Sequence, residues 1–87
     1  MPRVFIPPPL RSLTGDEESV VVAGRNVRQV IENLDRMFPG IKARLLDGDQ
    51  LKPELCVAVG QSINSLGLLA PVEEDQEVHF LPIVGGG

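Results

Sequence analysis

Few side chains in this sequence can do chemistry. There is one histidine, His79, one cysteine, Cys56, and neither tyrosine nor tryptophan. A Ser/His/Asp relay or a histidine-rich metal site needs more than that. Cys56 stands in an apolar run, where a small apolar strand residue is the ordinary role of cysteine. Asp47-Gly48-Asp49-Gln50 is too short for a calcium loop, which takes about twelve residues. The distinctive stretch is the end, Phe80-Leu81-Pro82-Ile83-Val84-Gly85-Gly86-Gly87. Glycine gives up the most conformational freedom on folding and packs nothing. Gly85, Gly86 and Gly87 therefore form a thin thread carrying one reactive group, the α-carboxylate of Gly87, with an ordinary pKa of about 3.3–3.7. Extended at 3.3–3.6 Å per residue, Ile83 to Gly87 spans about 17 Å, enough to enter a partner's active site while the body stays outside. A frayed terminus has the same composition, so the body must decide between the two.

The totals narrow the choice. Eighty-seven residues make one domain, and 43% apolar residues can build a core. All three aromatics are Phe, so the core is aliphatic. The net charge of −4, with six arginines and two lysines dispersed, argues against nucleic acid as a partner. No apolar run approaches the roughly 18 residues of a membrane span. No leader pattern opens the chain, and a single cysteine suits the cytosol. The expectation is a cytoplasmic protein with no membrane partner, no metal and no catalytic side chain.

The elements that would position the tail follow from periodicity. Arg3–Ile6 is a first strand, ended by Pro7-Pro8-Pro9. Val4 and Ile6 point inward and Phe5 outward. Leu10 to Glu18 is a connection with Leu10 and Leu13 tucked beneath it, and Ser19–Ala23 is a second strand. Asn26 to Phe38 is the main helix, with Val27, Val30, Ile31, Leu34 and Phe38 on one face. Asn26 is its N-cap, with Gln29 placed as in a capping box. Glu32 and Arg36 are spaced for an i,i+4 pair, and Pro39-Gly40 stops the helix. Ile41–Leu46 is a short helical turn, and residues 47–50 are a loop. Leu55–Val59 is a third strand, with Val57 and Val59 inward and Cys56 and Ala58 outward. Gly60-Gln61 closes a hairpin onto an edge strand, Ser62–Asn64. Leu66, Leu68 and Leu69 cap the core, and residues 71–76 form an acidic turn. In the last strand, Glu77–Leu81, Val78 and Phe80 point inward and His79 and Leu81 outward.

This order predicts an α+β fold: a mixed sheet of four to five strands with one main helix packed across one face. The face away from the helix would normally be polar. Phe5, Ala58 and Leu81 make it partly apolar, and with His79 they are candidate docking residues. Residues 1–82 would form the domain and 83–87 the tail.

The order of elements and the glycine end resemble the ubiquitin-like β-grasp fold. More closely, the chain resembles the sulfur-carrier proteins of molybdopterin, thiamin and cysteine biosynthesis. The matching pieces are Val4-Phe5-Ile6-Pro7 with Leu10-Arg11, Leu34 with Phe38-Pro39-Gly40-Ile41, Val57-Ala58-Val59, and Glu77-Val78-His79-Phe80-Leu81-Pro82 before Gly86-Gly87. Ile6-Pro7 and Phe38-Pro39-Gly40 align it best with the carrier that feeds cysteine synthesis. Gly85 departs from the Ser, Ala or Thr common at its position, and Gly60-Gln61 replaces an Asn-containing turn. The resemblance implies that the carrier binds no cofactor. An ATP-dependent activating enzyme adenylates Gly87, sulfide converts it to a thiocarboxylate, and a sulfur-accepting synthase (cysteine, molybdopterin or thiazole synthase) consumes the sulfur. It also allows a processing metalloprotease as a partner. Phe5, Ala58, His79 and Leu81 would then meet the activating enzyme. Two other functions suit the same chain: a protein modifier joined to lysines through its last glycine, and a β-grasp binding subunit whose tail is incidental.

Overall fold

The computed structural model describes residues 1–83. β1 (Arg3–Phe5) is followed by a 3-10 helix over Pro8–Thr14 and then by β2 (Ser19–Val21). The prolines that stop β1 serve as the first turn of that 3-10 helix, where a missing N–H costs nothing. Leu10 is buried by it, and Leu13 packs against the core. β2 returns antiparallel to β1, with Val4 opposite Val20.

α1 (Val27–Met37) begins as its sequence dictates. Asn26 Oδ1 accepts from the Gln29 amide at 2.9 Å. The reciprocal bond comes from the amide of Arg25, one residue before the cap, to Gln29 Oε1 at 2.9 Å. Val27, Val30, Ile31 and Leu34 are fully buried against the sheet. Phe38, at the C-cap, is only partly buried. Glu32 does not take the expected partner Arg36. Its carboxylate lies 3.7 Å from Lys42 Nζ on α2 (Ile41–Leu45), because the chain turns at Pro39-Gly40 and brings α2 back beside α1. Asp35 Oδ1 accepts from the amides of Gly40 and Lys42, at 3.1 and 3.0 Å, and so serves as the cap of α2.

The stretch read as a loop holds a small hairpin of its own, β3 (Leu46–Asp47) with β4 (Gln50–Leu51). Its two-residue strands are too short for an alternating pattern to show. β5 (Leu55–Val59) and β6 (Ser62–Asn64) form the expected hairpin, with Gly60 at φ 66° in the two-residue turn. A second 3-10 turn, Gly67–Leu69, follows, and then β7 (Glu77–Pro82).

The main sheet runs β2-β1-β7-β5-β6. β7 is therefore central, parallel to β1 and antiparallel to β5. Apolar residues from both layers form one aliphatic cluster, including Val4, Ile6, Val57, Val78 and Phe80 from the sheet side. The linker around the acidic turn adds Ala70 and Val72 to it. Of the three leucines expected to cap the core, only Leu68 does so. Leu66 and Leu69 are 56% and 76% exposed, because a tight 3-10 turn can direct only one of three closely spaced side chains inward. Among the described residues no helix is long and apolar enough to cross a membrane.

Candidate functional site

The site is built from the strand that ends in the tail. Val78 and Phe80 anchor β7 in the core, and its backbone is bonded on both sides, to β1 and β5. Pro82 is the last strand residue, opposite Leu55. A proline is tolerated there because the ladder is ending. One further backbone bond, Ile83 N–H to Glu54 O at 2.8 Å, holds the chain beside the turn that precedes β5. The described chain therefore ends at the rim of the central strand of the sheet. Gly85, Gly86 and Gly87, named as the tail that enters a partner, lie outside the described residues, as does Val84.

The other expected site residues fall on the sheet face away from α1. Register places Phe5 opposite His79, His79 opposite Ala58, and Ala58 opposite Ile63. This is one row across β1, β7, β5 and β6. Phe5 and His79 stack, ring centroids 4.3 Å apart and planes 7° from parallel. His79 Nε2 also lies 3.1 Å from Glu77 Oε1, two residues back on the same face. One side of the imidazole is thus covered by an aromatic ring and one nitrogen is engaged by a carboxylate. Leu81, 37% exposed, continues the patch toward the tail, opposite Cys56.

Ala58 is the least exposed of the four expected docking residues. It shares this face but is only 8% exposed. Cross-strand neighbours have Cβ atoms about 4.5–5.5 Å apart, and Ala58 stands between the much longer His79 and Ile63. It therefore forms the floor of the patch, lower than the other expected docking residues. Sequence reasoning missed Ile63, 68% exposed at the outer end of the row. Its signal was present: it faces outward by the alternation that turns Ala58 outward, on a strand already recognised as an edge.

Chemically, the described residues offer a surface. Among them no group of three or more His, Cys, Asp or Glu side chains could hold a metal ion. Cys56 is a free thiol, half-buried on β5. Leu81 carries the patch along β7 to within two residues of Ile83, so a body that covers Phe5, His79 and Leu81 also reaches the last described residue.

Comparison with known proteins extends this geometry. The sequence profile of the ThiS family matches residues 4–87. The sulfur carrier protein CysO of Mycobacterium tuberculosis is 33% identical over 90 residues, covering 97% of this chain and 96% of that one. A chain of the Amycolatopsis orientalis BexX/CysO complex superposes with a TM-score of 0.91 at 35% identity, over the whole of both chains. Crystalline Mycobacterium tuberculosis CysO superposes with a TM-score of 0.88 at 30% identity, covering 97% of this chain and 100% of that one. The fold is the ubiquitin-like β-grasp of these proteins.

Proposed function

This chain belongs to the ThiS family, and from that premise we propose that it is a sulfur carrier: a protein co-substrate whose reactive group is the C-terminal carboxyl of Gly87. The observation that carries this reading is the reach of the family match. It runs to residue 87 and so includes the glycines together with the body. The full-length likeness to proteins named as sulfur carriers supports it.

The steps follow from the chemistry of a carboxylate. At neutral pH the Gly87 carboxylate is a resonance-stabilised anion and a poor electrophile. Its oxygen attacks the α-phosphorus of ATP on an activating enzyme, pyrophosphate leaves, and an acyl-adenylate forms. A sulfide-level nucleophile then attacks the acyl carbon, and AMP departs with the carboxyl oxygen. With hydrosulfide as that nucleophile, loss of its proton leaves a thiocarboxylate on Gly87. Its sulfur is nucleophilic at neutral pH and is passed to a substrate held by a synthase. On the resemblance of Ile6-Pro7 and Phe38-Pro39-Gly40 we place that synthase in cysteine formation, in the cytosol where ATP is at hand. Residues of the carrier body supply binding and position. Gly85 and Gly86 admit the end to a narrow tunnel, where a Cβ would collide. Phe5, His79, Leu81 and Ile63 offer the face on which the activating enzyme docks.

ATP–pyrophosphate exchange by the activating enzyme tests the reading. The chain ending at Gly87 should support exchange, and the same chain shortened by Gly86 and Gly87 should not. Equal exchange with both would remove the carboxyl of Gly87 from the mechanism.

A further inference from the structure

The end of the fold that holds Ile83 carries a groove that the outer-face patch does not include. Its walls come from three separate segments: Pro7, Pro9 and Leu10 after β1, Arg44 on α2, and Lys52, Glu54 and Leu55 at the start of β5. Glu54 is also the residue whose carbonyl holds the Ile83 amide at 2.8 Å. The groove and the root of the tail therefore adjoin. Arg44 and Lys52 both line the groove and form no ion pair among the described residues, whereas Arg28 and Lys42 each have a carboxylate within 3.7 Å. Glu54 is the single acid of the lining, so the groove keeps a net positive charge on a chain whose total is −4. The prolines and leucines give it an apolar floor that needs little ordering on contact.

We propose that this groove is the seat for the acidic rim of the activating enzyme's tunnel, with a carboxylate of that enzyme placed between Arg44 and Lys52. The inference rests on the carrier reading above and adds the chemistry of the partner. Four residues follow Ile83, and at full extension they span about 13–14 Å. Gly87 can enter an active site only if the wall around that site comes within this distance of Ile83. The groove lies beside Ile83, within the span that such a wall must occupy. Two cations fixed at that point select a rim of negative charge and speed the encounter, an effect that salt suppresses. Glu54 works against it, and its neutralisation should strengthen docking.

The test is steady-state adenylation of the full chain by its activating enzyme, with the carrier as varied substrate. The pair of substitutions Arg44→Glu and Lys52→Glu should raise the KM for the carrier by about tenfold or more at low salt and leave kcat unchanged. Glu54→Gln should lower KM. Added salt should raise KM for the unmodified chain and lower it for the charge-reversed one, where it screens repulsion. Both changed residues are at least partly exposed, and thermal melting verifies that the variant is folded. A KM within twofold of the parent, or a fall in kcat with KM unchanged, would overturn the proposal and leave the carrier reading standing. An unmodified chain that is not adenylated at all would remove both.

Discussion

Gly24 is a position where one added carbon has a calculable consequence. Its φ is 154°, and a Cβ built there would lie 2.6 Å from Val30 Cγ2 and 2.8 Å from the Val30 backbone nitrogen. Backbone cannot give way as a side chain can. Gly24→Ala should therefore cost about 2 kcal/mol or more by overpacking alone, read as a fall in the urea midpoint with an unchanged slope. Gly15, at φ 62° with nothing within 4 Å of the same imagined atom, should lose only about 1 kcal/mol on the same change, from left-handed strain. Asn26→Ala removes the acceptor of the Gln29 amide and should cost about 1 kcal/mol. This residue was legible from its type and spacing alone. The Phe5–His79 stack was not, because outward alternation places both residues on one face without giving the register between the first and last strands. Phe5→Ala should cost only about 0.5–1.5 kcal/mol of stability beyond its lost area, yet weaken binding to the activating enzyme measurably by calorimetry, if that face is the docking surface.

At the scale of elements, α1 and the sheet determine each other. The stripe Val27, Val30, Ile31 and Leu34 was readable because its period fits only a helix, and all four are buried where that stripe meets the sheet. Leu34→Ala should cost about 2–5 kcal/mol, since close packing around a fully buried leucine leaves a cavity. The parts that were less legible are those whose cause is tertiary. Asp35 lies on the helix surface by its spacing, and only the reversal at Gly40 turns it into the cap of α2. Glu32 leaves Arg36 for Lys42 for the same reason. The β3–β4 hairpin is too short for periodicity, and Leu66 and Leu69 look like core residues until the 3-10 turn aims them outward. Asp35→Ala should destabilise the molecule by about 1 kcal/mol. Loss of amide protection in hydrogen exchange should concentrate at Gly40 and Lys42.

On the carrier reading proposed above, the described body supplies the fold and Gly87 the reacting group. The core cluster draws on residues from Val4 to Phe80, and the last described backbone bond is at Ile83. Shortening the chain by Gly86 and Gly87 should leave the melting temperature unchanged while abolishing adenylation. A binding subunit with an incidental tail would keep its function. The most direct measurement is the mass of the intact chain, and of its C-terminal fragment, after incubation with the activating enzyme, ATP and a sulfur donor. The fragment containing Gly87, and no other, should become heavier by the difference between one sulfur and one oxygen atom. An unchanged mass with an enzyme that does adenylate the chain, or sulfur found on Cys56 instead, would contradict the carrier mechanism.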